Sequence, residues 1–198
     1  MINFIMKGGF FIWPILVCSV ISLGVILERL LYFYRTNAKN KNLPDKTKLL
    51  INSKKFSEAV KLCENHSDFI SRFLAVGIKI IDRPQEDKYK ILRRAGSREL
   101  EEGGKNLRIL SVIGNISTLL GLLGTVTGMI QTFIKIETSG GTAEVTLLAG
   151  GIWEALLTTA AGLSVAIPTL VMYYYFESIV DNREILYKNI AADVFNLN

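Results

Sequence analysis

Three long stretches of the chain carry almost no charge. Residues 10–27 (FFIWPILVCSVISLGVIL) and 109–134 (ILSVIGNISTLLGLLGTVTGMIQTFI) are uncharged, and residues 145–176 are interrupted only by Glu154. Each approaches or exceeds the ~20 residues that cross a hydrocarbon layer of ~30 Å at ~1.5 Å rise per residue. The pattern predicts three transmembrane helices. Between the first two, charged and apolar positions alternate at helical spacing. SKKFSEAVKL (53–62) opens with a serine suited to N-capping and sets Phe56, Val60 and Cys63 on one face, and a second apolar run covers 69–81, so a small helical hairpin is expected. After Pro84, EDKYKILRRAGSRELEEGGKNLRIL has helical composition and runs without a proline into the second span. That predicts one long helix, with Gly103 and Gly104 as its weak point because interior glycine costs ~1 kcal/mol relative to alanine. The end, ESIVDNREILYKNIAADVF, is amphipathic and reads as a surface helix suited to packing on the cytoplasmic helices.

Charge sets the orientation. All but four of the 23 lysines and arginines, namely Lys7, Lys135, Arg183 and Lys188, lie in residues 29–108. Arg29, Arg35, Lys39, Lys105 and Arg108 flank the spans closely, where the positive-inside bias counts, so the long loop is expected in the cytoplasm. The N-terminus and the short SGGT loop then lie outside. The expected organisation is a first transmembrane helix with a short outer N-terminus (1–35), a cytoplasmic helical loop (36–108), a second span (109–136), an outer loop (137–144), a third span (145–176) and a cytoplasmic tail (177–198). Lys7 before an apolar run also fits a signal peptide, but the run is long and lacks a small-residue cleavage site. The aromatic cluster Tyr32, Phe33 and Tyr34 suits an interface anchor instead.

The composition, 49% hydrophobic with net charge +5, agrees with a membrane protein bearing a soluble part. Basic and acidic residues alternate in the loop without a recognition motif, which speaks against nucleic-acid binding. Cys18 and Cys63 form no CxxC, and His66 stands alone in CENHSD, so neither a disulfide framework nor a metal site is expected. His66 reads as a solvated loop residue. No nucleophile, base and orienter set appears, and no enzyme or cofactor is expected.

Candidate chemistry lies in the second and third spans. Gly114, Ser117, Gly121, Gly124 and Gly128 recur at steps of three and four, a stripe on which helix backbones can approach closely in lipid. One position further on, Asn115, Thr118, Leu122, Thr125, Met129 and Thr132 form a polar stripe. It suits either a watery lumen or hydroxyls bonded to their own helix. In the third span Glu154, Thr158, Ala161, Val165 and Thr169 lie beside Ala155, Thr159, Gly162 and Ala166, and Pro168 removes one helix hydrogen bond. Thr158 sits almost under Glu154, whereas Thr159 is about 140° away on an ideal helix. A carboxylate in hydrocarbon costs at least ~2.5 kcal/mol, so Glu154 needs a compensating environment. Helix entry just after Glu144 puts it about 15 Å deep, and entry near Gly151 leaves it close to the surface.

LLGLLGTVTGMI (119–130) followed by GIWEALLTTAAGLSVAIPTLVMYYY (151–175) resembles the MotA/TolQ/ExbB family of proton-channel subunits, most closely its ExbB/TolQ branch. The order of long loop, span, short loop and span is similar as well. The resemblance implies an all-α inner-membrane protein assembled as a homo-pentamer, with spans two and three lining a central pore. It further implies a dimer of a single-span ExbD/TolR-like subunit in that pore, and a TonB/TolA-like protein that receives the resulting movement. Protons are then the transported ion. By motif position Glu154, Thr125 and Thr159 correspond to the family's pore residues, with Thr158, Thr118 and Asn115 on the same polar faces. Gly114, Gly121, Gly124, Gly128 and Gly162 are expected to pack helices, and Pro168 to kink one. The chain departs from the family at Ser117-Thr118, where Ala-Pro is common, and at Trp153, where a small or polar residue is usual. Flagellar stators resemble it less, having four spans, and a scaffold without ion flux is the rival of another class.

Overall fold

The computed structural model describes residues 9–36, 47, 49–50, 53, 55–65, 68–138 and 145–196. His66, the N-terminal residues before Gly9, most of the predicted outer loop and the last two tail residues lie outside that set. The described residues are helical throughout their regular structure: α1 (Ile12–Thr36), α2 (Phe56–Glu64), α3 (Phe69–Lys79), α4 (Gln85–Gly104), α5 (Leu107–Thr138) and α6 (Val145–Asn196). Three helical stretches are long and apolar enough to cross a membrane: Ile12–Thr36, Gln85–Thr138 and Leu148–Ala192. The chain folds as two compact units, one from Met1–Leu27 with Asn106–Tyr175, the other from Glu28–Lys105 with Phe176–Asn198.

The first unit is apolar on its outside. Trp13, Val20, Leu119, Leu122, Phe133, Trp153, Leu156, Ile167 and Val171 are all exposed. An apolar surface of this extent belongs in lipid rather than water. Ile12, Ile15, Leu107, Leu110 and Ile113 are buried in the unit, but where α5 meets α6 its interior is built from small residues. Ser117, Gly121 and Gly124 of α5 are buried, as are Ala155, Thr158, Gly162, Ala166 and Thr169 of α6. Where hydrocarbon removes the hydrophobic drive, close backbone approach supplies the packing.

The second unit has a conventional hydrophobic core. Ala59 and Cys63 of α2, Ile70, Phe73, Leu74 and Ile78 of α3, Leu92 of α4, and Tyr187 and Ile190 of α6 are buried together. The Phe73 and Tyr187 rings are 4.5 Å apart. The N-cap of α2 is Lys55, which makes no side-chain cap bond, rather than Ser53, whose hydroxyl donates to the Leu49 carbonyl at 2.9 Å. Asp68 caps α3 properly: its Oδ1 accepts the Ser71 amide at 2.7 Å and satisfies an otherwise orphan donor. Glu86 and Asp87 in the first turn of α4 complement the helix dipole.

Two expectations change. The predicted single helix through residues 85–134 is broken between Gly104 and Leu107, and the break falls on Asn106 (φ 64°) rather than on the glycine pair. Asparagine tolerates the left-handed region that stops a helix, while Gly103 and Gly104 stay helical. The tail, for its part, is no separate surface helix. It continues α6 without interruption past Pro168 as far as Asn196, because Tyr187 and Ile190 fill the core of the second unit.

Candidate proton-path site

The centre of the site is the contact of α5 with α6. A Cβ built on Gly162 would lie 2.6 Å from the Ser117 carbonyl oxygen and 2.9 Å from the Gly121 Cα. One built on Gly121 would lie 3.2 Å from the Thr159 Cα and 3.3 Å from the Gly162 Cα. The two backbones therefore touch at this pair. On either side of it Gly124 faces the Thr158 side chain, Gly128 faces Ala155, and Gly114 faces Leu170. Gly151 meets Thr132 one step further on.

The polar groups sort into two sets around this contact. Asn115 and Thr118 are exposed and Thr125 is half-buried, all on α5. Each bonds within its own helix: Asn115 Nδ2 to the Ser111 carbonyl at 2.8 Å, Thr118 Oγ1 to Gly114 at 3.0 Å, and Thr125 Oγ1 to Leu122 at 2.6 Å. Thr158 is buried in the helix contact and donates to the Glu154 carbonyl at 3.0 Å. Thr159 crosses over: its hydroxyl donates to the Gly121 carbonyl on α5 at 2.7 Å. Asn115, Thr118 and Thr125 thus form a stripe of α5 beside the glycines that meet α6, whereas Thr158 and Thr159 belong to the α5–α6 contact.

Glu154 is half-buried. Since Gly128 packs on Ala155, the next residue, both helices can be used to gauge its depth. A rise of ~1.5 Å per residue puts Gly128 about 28 Å from Ile109 along α5, and Glu154 about 28 Å from Tyr173 along α6. Gly128 lies nearer the end of the uncharged run 109–134 than its start, so the carboxylate belongs to the half of the span where α5 leaves and α6 enters. Gly9, just before α1, lies beside it: a Cβ at that position would be 2.9 Å from Glu154 Oε1. Nothing in the sequence marks Gly9 as a neighbour of Glu154.

Among the described residues the second unit holds three buried cations, Arg29, Lys88 and Arg183, that sequence reasoning used only to orient the chain or passed over. Arg29 is 3% exposed; its guanidinium donates to the Glu102 carbonyl at 2.8 Å and the Gly103 carbonyl at 3.3 Å, and pairs with Glu28. It closes the C-terminus of α4, where carbonyls lack helical partners. Arg183 donates to Thr36 Oγ1 at 3.1 Å and lies over the Phe33 ring. Burial lowers its pKa from the ordinary guanidinium value, although the Tyr32 and Tyr187 hydroxyls oppose the shift. Among the described residues no group of histidine, cysteine and acidic side chains is arranged to hold a metal.

These features define a multi-pass α-helical membrane protein with a carboxylate and a polar helix face set on a tightly packed pair of spans. Residues 65–189 match the MotA/TolQ/ExbB proton channel family, and the chain belongs to that family. Among its relatives, the biopolymer transport protein exbB1 of Vibrio cholerae is 29% identical over 165 residues, covering 82% of this chain and 72% of that protein. An ExbB-like biopolymer transport protein of Synechocystis sp. is also 29% identical, over 93% of this chain and 78% of its own length. The biopolymer transport protein ExbB of Salmonella typhimurium reaches 39% identity over 94 residues, 48% of this chain and 38% of that protein.

Proposed function

We propose that the chain is an ExbB-like subunit of a proton-driven motor in the bacterial inner membrane, with its long loop in the cytoplasm. It works as a homo-pentamer whose α5 and α6 surround a pore. A dimer of a single-span ExbD/TolR-like subunit occupies that pore, and a TonB/TolA-like protein passes the movement on to transport or maintenance across the envelope. Protons are the transported ion, and no cofactor or catalytic group takes part. The observation that carries this reading is the polar stripe of α5, Asn115, Thr118 and Thr125, which runs beside the glycine face that α6 fills. Polar groups at membrane depth face protein or water rather than lipid, so this stripe calls for an occupant beyond the described residues of the single chain.

In this reading the partner supplies the titrating carboxylate, and Glu154, in the outer half of the span, polarises the entrance. One charge crossing ~100 mV releases about 2.3 kcal/mol before any pH gradient is added, which is enough to bias a mechanical step. The rival without ion flux has support in the threonines that bond their own helix, as structural threonines do.

Native mass spectrometry of the complex extracted from its own membrane, followed by proton-flux assays in vesicles, separates the two. Five copies with a small single-span partner, and flux lost in Glu154→Gln, are expected. A flux-free complex would return Glu154 and the threonines to a scaffold role, and flux indifferent to Glu154→Gln would remove Glu154 from the proton path.

A further inference from the structure

We propose that Thr159 is a positioning residue: its hydroxyl clasps the Gly121 carbonyl and fixes the register of α6 on α5, and it does not itself hand on protons. The bond is 2.7 Å long and joins side chain to backbone across 38 residues of sequence. Its neighbours behave differently. Thr118, Thr125, Thr127, Thr132, Ser164 and Thr169 return their hydroxyls to carbonyls of their own helices. Thr159 reaches across because Gly121 and Gly162 let the two backbones meet there; a larger residue at either position would hold the carbonyl out of range.

The acceptor gives the bond its consequence. In an α-helix the Gly121 carbonyl also receives the amide of Thr125, and a carbonyl oxygen has two lone pairs. One peptide group therefore ties Thr159 to the turn that carries Thr125, a threonine of the polar stripe of α5. A relay hydroxyl must release its proton to the next acceptor. This one is held on a backbone carbonyl, which does not take up a proton at physiological pH. The bond fixes geometry and ends the path there.

The test uses the full-length protein in lipid with glycine labelled at the carbonyl carbon and leucine at nitrogen. Only Gly121-Leu122 and Gly162-Leu163 then give directly bonded carbon–nitrogen pairs, so solid-state NMR sees two carbonyls, and Leu163→Ile assigns them. Thr159→Val, which keeps the shape and loses the donor, is expected to move the Gly121 carbonyl upfield and leave Gly162 in place. Thr159→Ser is expected to restore the wild-type position. If the valine variant fails to assemble, Thr159→Cys, a weak donor, should give an intermediate shift. An unmoved Gly121 carbonyl in the donor-free variant overturns the clasp.

The second readout, proton flux with the partner present, rests on the proposed function. Flux should survive in Thr159→Ser with an unchanged pH profile and fall in Thr159→Val. A shifted pH profile in Thr159→Ser would instead make Thr159 part of the proton path and sink the proposal. Absence of flux in the wild-type complex would refute the pore reading while the carbonyl result stood by itself.

Discussion

Gly9 and the Glu154 carboxylate abut at the end of the membrane unit where α6 begins, so close that a Cβ at position 9 would sit 2.9 Å from Oε1. Gly9 also has φ +69°, a conformation that costs a residue with a side chain roughly 1–2 kcal/mol. Gly9→Ala therefore meets backbone strain, while the carboxylate, the far end of a flexible side chain, can swing aside at little cost. Denaturation of the purified protein in detergent should show a loss of about 1–2 kcal/mol. The loss should be much the same in the Glu154→Ala background. Unchanged stability in Gly9→Ala would deny Gly9 its left-handed conformation.

The Gly121–Gly162 contact makes a sharper steric prediction. In Gly162→Ala the new methyl would stand 2.6 Å from the Ser117 carbonyl oxygen, which is backbone and cannot swing aside. Overpacking of this kind typically costs ~1–3 kcal/mol, and here it also separates α5 from α6. Gly24→Ala is the control, because nothing lies within 4 Å of a Cβ there and a gain of helix propensity up to ~1 kcal/mol is expected. Thermal unfolding of both variants in one detergent gives the comparison; equal stability would rule out a tight crossing.

What could be read without coordinates depended on the range of the interaction. The spans were legible because a run of uncharged residues is a local property with a length set by the bilayer. The helix break was misplaced because Gly103 and Gly104 weaken a helix on average, while Asn106 stops this one by adopting φ 64°. The amphipathic tail was visible as a helix, but its junction with α6 was not. That junction follows from Tyr187 packing on Phe73, residues far apart in sequence. On a helical wheel Thr159 could be placed about 140° from Glu154. No periodicity could reveal that its hydroxyl ends on Gly121, since that bond exists only once two helices have met.

Arg29 holds the end of α4 from another helix. Its guanidinium is 3% exposed and donates to the Glu102 and Gly103 carbonyls beside Glu28. Arg29→Met keeps much of the buried stem, loses the donors, and leaves two helix-end carbonyls and the Glu28 charge without them. A cost of about 1–3 kcal/mol is expected, the range for leaving buried acceptors without their donors, since Glu28 is half exposed and adds little. Hydrogen exchange should then accelerate in the last turn of α4, residues 99–104, with α2 and α3 unaffected. Arg29→Lys should recover part of the protection, because a single ammonium can meet one carbonyl but not both. Unchanged exchange in the methionine variant would deny Arg29 its capping role.

Cys63 ties the second unit to pH. Burial raises its thiol pKa above the ordinary value, and the nearby Asp68 and Glu64 carboxylates push the same way, while a bond with the Thr47 hydroxyl at 3.7 Å opposes them. The folded state therefore favours the neutral thiol more than the unfolded chain does. Stability from this source is complete below the unfolded thiol pKa of ~8.5 and is lost as pH rises through the higher folded value. Denaturant titrations between pH 7 and pH 10.5 should show the wild-type protein weakening at the alkaline end more steeply than Cys63→Ala. Tyrosines and lysines titrate in both proteins, so the difference between the two curves isolates the thiol. The alanine variant should be less stable at neutral pH, having lost a buried sulfur, yet flatter with pH. Parallel curves would mean that Cys63 titrates alike in the folded and unfolded chain, and that its burial in the core leaves the thiol as free to ionise as it is in water.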